Sequence, residues 1–151
     1  MRNKSGFTIT EALLSVLILG ILAAVALPRI DFFGGKSSYI ASRNIVSDLR
    51  YTRTLAVTSG TRHYLKLLPP GGPNYNSYEI YKDSATPVKI GDTKLISDRV
   101  SCSADVEEFK FSYLGVGATG STNGSITLDD GSISYTIGFI ASTGRTYEYK
   151  N

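Results

Sequence analysis

The chain has 151 residues and a formal charge of +3, long enough for one domain beside a hydrophobic helix. Its single cysteine, Cys102, excludes an intramolecular disulfide, and its single histidine, His63, leaves no His/Cys cluster for zinc or for nucleophilic catalysis. No tryptophan, ten tyrosines and fifteen glycines suit a β-rich, turn-rich exported domain.

The first 28 residues read MRNKSGFTITEALLSVLILGILAAVALP, and from Phe7 to Leu27 the one ionisable side chain is Glu11. As a helix at about 1.5 Å per residue this run is roughly 30 Å long, the thickness of a bilayer core. Arg2 and Lys4 precede it, so the positive-inside bias leaves the N-terminus in the cytoplasm and sends the residues after Pro28 across. A carboxylate in such a run is costly, so Glu11 must have a partner or a function. A secretory signal would carry its small-residue cleavage site after the apolar run, whereas here Gly6 stands before it.

This order resembles the class III signal of type IV pilins and type II secretion pseudopilins. FTITE stands where that family usually has FTLIE, and GILAAVALP is close to its usual run. The resemblance implies that a prepilin peptidase cuts after Gly6, methylates the new N-terminus at Phe7 and leaves the helix in place. Glu11 then becomes the fifth mature residue and Pro28 the twenty-second. In a filament of such subunits, the Phe7 amine of one could neutralise the Glu11 carboxylate of its neighbour, favouring one axial register. Arg2 and Lys4 would leave with the leader, so the mature side chains carry 14 basic and 13 acidic groups. The pI near 9.0 is therefore no argument for nucleic acid.

Pro28 should kink or loosen the helix, and Gly34–Gly35 are poor helix formers, so a melted or a bent continuation are both open. From Lys36 to Ser59, Ala41, Ile45, Leu49, Thr52 and Ala56 form one helical stripe, with Gly60 as the C-cap. Beyond Gly60 the period becomes two. Strands are expected at Arg62–Leu68, Ser77–Lys82, Lys94–Val100, Glu107–Leu114, Gly124–Leu128, Ser132–Ile140 and Arg145–Lys150. The Pro69–Pro73 stretch (PPGGP) is a rigid loop, and Asp129–Asp130–Gly131 signals a hairpin.

Ile45–Leu67, IVSDLRYTRTLAVTSGTRHYLKL, resembles the GspH/FimT group of minor pseudopilins and minor pilins, whose helix ends near LxxARxxAxxxGxxxxL. Leu49, Arg53, Ala56 and Gly60 match, and Thr52 replaces the usual alanine. The late Gly144–Arg145 also fits this group.

Other signals carry less. Gly115, Gly117 and Gly120 spell GxGxxG, but no helix follows, so a flexible strand-connecting loop is expected rather than a phosphate site. His63 is expected on an exposed or edge position, and Cys102 at a strand end or in a loop. Asp83, Asp92, Asp129 and Asp130 lack calcium-loop spacing. Asn123-Gly-Ser is a formal glycosylation sequon that means little in a bacterium or archaeon. Arg43, Arg50, Arg53, Arg62 and Lys66 read first as a solvated face, then as a charged flank for an adjacent subunit, and third as a nucleic-acid contact.

The expected fold is α+β: a long N-terminal helix, its first half a transmembrane segment, packed on antiparallel sheets. Its parts are a leader (1–6), a membrane or filament-core helix (7–28), the periplasmic half of the helix (29–60) and a β-rich head (61–151). The expected function is structural and non-enzymatic: a minor subunit of a type II secretion pseudopilus or type IV pilus, with no catalytic residue, cofactor or metal. Its partners would be prepilin peptidase, other pilin-like subunits and the inner membrane. A DNA-binding minor pilin is the alternative; some FimT-type proteins carry Gly-Arg-x-Arg, but here Gly144-Arg145-Thr146-Tyr147 lacks the second arginine and Glu148 follows. A major pilin fits less well, because the C-terminal disulfide of many major pilins is absent.

Overall fold

The structure, a computed structural model, describes residues 8–26, 34–72 and 74–151, in two units divided between Phe33 and Gly34. The first unit contains α1, Ile9–Ala26. From Ile9 to Leu22 its side chains are exposed on every side, with neighbours such as Leu13, Leu14, Val16, Leu17, Ile18 and Leu19 all in the open. A helix apolar all round must be covered by something else, either lipid or other protein. Among the described residues no helix is long and apolar enough to cross a membrane. The 18 residues of α1 measure about 27 Å, and the span expected from sequence, 7–27, runs past the described residues at both ends. Gly6, Phe7 and Pro28 also lie outside the described residues.

The second unit is built on α2, Gly34–Ser59. Its expected stripe is buried: Ile45, Leu49, Thr52 and Ala56 are inaccessible, and Ala41 packs at the edge of the core. Gly34 and Gly35 are helical, the first described residues of α2, and the Pro28–Phe33 stretch before them lies outside the described residues. Gly60, at φ 64°, ends it in the left-handed conformation that costs glycine least.

Eight strands follow: β1 His63–Leu68, β2 Ser77–Lys82, β3 Val88–Leu95, β4 Ser101–Ala104, β5 Glu108–Phe111, β6 Gly124–Asp129, β7 Ser134–Ile140 and β8 Arg145–Lys150. They make two antiparallel sheets in the orders β3-β2-β1-β5 and β4-β6-β7-β8. The fold is thus α+β, with α2 lying across β1 and β5 of one sheet and β6, β7 and β8 of the other. Phe139 of β7 sits edge-on to Phe109 and Phe111 of β5, at 5.7 and 5.3 Å between ring centroids, and so joins the sheets. Each such buried ring stabilises the fold by roughly 1.5–3 kcal/mol.

Two sequence expectations are corrected. The strand expected at Lys94–Val100 is split. Its first residues close β3, and Ser97–Val100 form a turn in which the Val100 amide donates to the Ser97 carbonyl at 2.9 Å. Ser101–Ala104 is a strand instead, although its small residues have little β-propensity. His63 is 3% exposed on an interior strand, held by its Nδ1 within 3.1 Å of the Thr61 carbonyl. The chain folds β2 and β5 on either side of β1, which no local pattern around His63 announces.

Candidate functional site

At the start of α1, Thr8 and Glu11 form a capping box. The Glu11 carboxylate accepts from the Thr8 amide at 3.1 Å and from its hydroxyl at 2.9 Å, while the Glu11 amide lies 3.4 Å from Thr8 Oγ1. This satisfies amides that the helix itself leaves unpaired. The T-x-x-E spacing was visible in the sequence, so Glu11 has a local role that its cost in an apolar run had obscured. A carboxylate has about four acceptor positions, so the cap leaves capacity for a further cation.

Behind α1 in sequence, α2 is tied to both sheets by polar side chains that leave its stripe. Near its start, Ser38 donates through Oγ to Asp130 Oδ2 at 2.8 Å. Asp130 Oδ1 meanwhile accepts from the Ser132 and Ile133 amides at 3.1 Å each, closing the β6–β7 hairpin expected from sequence. Burial pushes the Asp130 carboxyl up, but the bonds from Ser38, Ile133 and Ser132 outweigh it and hold the group below its ordinary value. One turn on, Ser42 donates to Glu148 of β8, with Arg43 at 3.7 Å. Asp48 accepts from the Tyr78 hydroxyl at 2.6 Å and from Lys94 at 2.5 Å, fixing α2 to the other sheet. Burial, then the bond to Asp48, pushes the Tyr78 hydroxyl far above its ordinary value.

The residues that carried the late resemblance meet at the far end of α2. Leu49 and Ala56 are wholly buried. Arg53 donates from Nε to the Gly115 carbonyl at 2.7 Å and from Nη2 to the Thr143 carbonyl at 3.4 Å. Gly144 sits at φ 62°, and a Cβ there would run into the Gly115 carbonyl, so the β5–β6 loop and the β7–β8 turn touch through backbone. The GxGxxG stretch is therefore a strand-connecting loop, but one held by Arg53 and by a Gly117 amide bond to Ala141 at 2.6 Å. Of the basic run, Arg53 is committed to carbonyls and Lys66 pairs with Glu108 at 3.1 Å. Cys102 is buried in β4, and burial pushes its thiol up to about 12.

An apolar N-terminal helix capped by a carboxylate, followed by a helix laid on two antiparallel sheets, defines a pilin-like subunit; residues 1–27 match the prokaryotic N-terminal methylation motif. More narrowly, residues 41–144 match the family of type II transport protein GspH, and the chain belongs to it. It is a structural, non-enzymatic minor pseudopilin of type II secretion with a prepilin processing motif. Two solved structures share the fold. The type IV minor pilin FimU of Pseudomonas aeruginosa is 14% identical with a TM-score of 0.62, over 78% of this chain and 92% of its own. The minor pseudopilin EpsH of the type 2 secretion system of Vibrio cholerae is 8% identical with a TM-score of 0.61, over 76% and 97%. No curated protein matches the chain in sequence. Family membership implies processing by prepilin peptidase, assembly with other pseudopilins and residence in the inner membrane before assembly.

Proposed function

We propose that the chain is cut between Gly6 and Phe7 and methylated at Phe7. It is then held in the inner membrane by residues 7–28, with the N-terminus cytoplasmic and the head periplasmic. It enters a pseudopilus when its first helix leaves lipid for the helices of other subunits, with Pro28 as the kink between the two helical stretches. The supporting observation is α1 itself, exposed on every face from Ile9 to Leu22, predominantly apolar and bearing one carboxylate in its first turn. That carboxylate meets the Phe7 amine of a neighbour, so two charges that would each cost a few kcal/mol in an apolar setting cancel.

Intact mass of the membrane-extracted protein tests this. Residues 1–6 should be gone and Phe7 methylated, and Gly6→Arg should leave the precursor uncut. An N-terminus at Met1, or cleavage after Leu27, contradicts the proposal.

A further inference from the structure

Arg50, Arg53 and Arg145 line one surface cleft of about 280 Å³, floored by Leu49 and closed by Gly144 and Thr146. Of the ten other basic side chains in residues 34–151, five have acidic partners: Arg43 with Glu148, Lys66 and Lys110 with Glu108, Lys89 with Glu79, and Lys94 with Asp48; the rest are dispersed singly along the chain, outside the cleft. Among the described residues no carboxylate pairs with any of the three arginines of the cleft. Arg50 and Arg53 are also i,i+3 neighbours on α2, where like charges oppose each other. Arg53 has spent two of its donors on carbonyls, and a guanidinium carries five. The site is thus rigid on one arginine, open on two, and short of an anion.

We propose that this cleft receives a single carboxylate, an aspartate or glutamate side chain on a neighbouring pilin-like subunit. Guanidinium matches carboxylate geometry bidentately, and two such groups around an apolar floor select one compact anion. A nucleic-acid backbone fits less well, because it rewards an extended basic field. Residues 34–151 carry 13 Lys and Arg against 11 Asp and Glu, and Glu148 stands on the same strand as Arg145. The inference rests on the assembly reading above and adds the chemistry of the contact.

The test uses the full chain, co-expressed with the other pilin-like subunits of its host and extracted in detergent. Arg50→Lys and Arg145→Lys place an amine in the cleft, and a water-soluble carbodiimide should couple it to an aspartate or glutamate of another pilin-like subunit. Arg50→Glu with Arg145→Glu, both at exposed positions, should lower co-purification roughly tenfold or more. Thermal unfolding of that double variant should match wild type. Co-purification unaffected by charge reversal, with no coupling at position 50 or 145, overturns the cleft and leaves assembly standing. A wild-type chain that captures no pilin-like subunit overturns both. Retention of duplex DNA that is lost in Arg145→Ala assigns the cleft to phosphate and also overturns the inference.

Discussion

Arg53 reaches the carbonyl of Gly115, 62 residues away in sequence, across 2.7 Å. With its second bond to Thr143, one side chain of α2 holds both the β5–β6 loop and the β7–β8 turn. Arg53→Ala should destabilise the head by about 1–3 kcal/mol, because the part-buried Gly115 carbonyl loses its donor. Arg53→Lys should recover little, since a compact ammonium lacks the planar fork. Urea unfolding of residues 34–151, which contain every buried core residue among those described, measures both.

The stripe of α2 predicts a steeper loss. Leu49 is 0% exposed and Ile40, about two and a half turns earlier and so on the opposite face, is 55% exposed. Leu49→Ala should cost about 2–5 kcal/mol, through lost transfer energy and a cavity. Ile40→Ala should stay within about 0.5 kcal/mol. Equal effects would mean that α2 presents another face to the sheets.

The sequence made α2 readable because one stripe at spacings of three and four has one physical use, and Gly60 marks its end. The Asp129–Asp130–Gly131 turn was equally local, since Asp130 closes it on the amides of Ser132 and Ile133. What failed was long-range or chemically weak. Gly91 interrupts the alternation of β3, and Ser101–Ala104 has no bulky residue to announce a strand. The ties of α2 to Asp130, Glu148 and Gly115 span 62 to 106 residues, and no periodicity encodes them. The Thr8–Glu11 box is local, and its T-x-x-E spacing is legible in the sequence.

Glu79 gives a pH dependence. Lys89 at 2.6 Å, then Thr93 and Tyr81, hold its carboxyl at about 2, below its ordinary 4.5. A depressed carboxyl contributes stability above its unfolded pKa and loses it as pH falls through the folded value. The head should therefore weaken between about pH 4.5 and 2, and Glu79→Gln should flatten that part of the curve. Unfolding midpoints of the two proteins at pH 6 and pH 2.5 read the difference.

Cys102 should be inert. Its thiol is inaccessible and raised to about 12, so almost none is thiolate at neutral pH. Iodoacetamide should leave the folded head unlabelled at pH 7.5 and modify it once urea unfolds it. Rapid labelling of the native protein would contradict the buried position of β4.

The central claim is that Glu11 serves assembly by its charge, beyond capping its own helix. Glu11→Gln separates the two roles: glutamine can still accept from the Thr8 amide in a capping box, but it cannot neutralise a neighbour's amine. The measurement is incorporation of Glu11→Gln and Glu11→Ala into sheared filaments, relative to wild type, in cells where leader cleavage of all three is equal. The account predicts that both variants reach the membrane and are cut, yet both fail to enter filaments. Wild-type incorporation of Glu11→Gln beside failure of Glu11→Ala would show that capping alone is what this residue supplies, and would contradict the amine pairing.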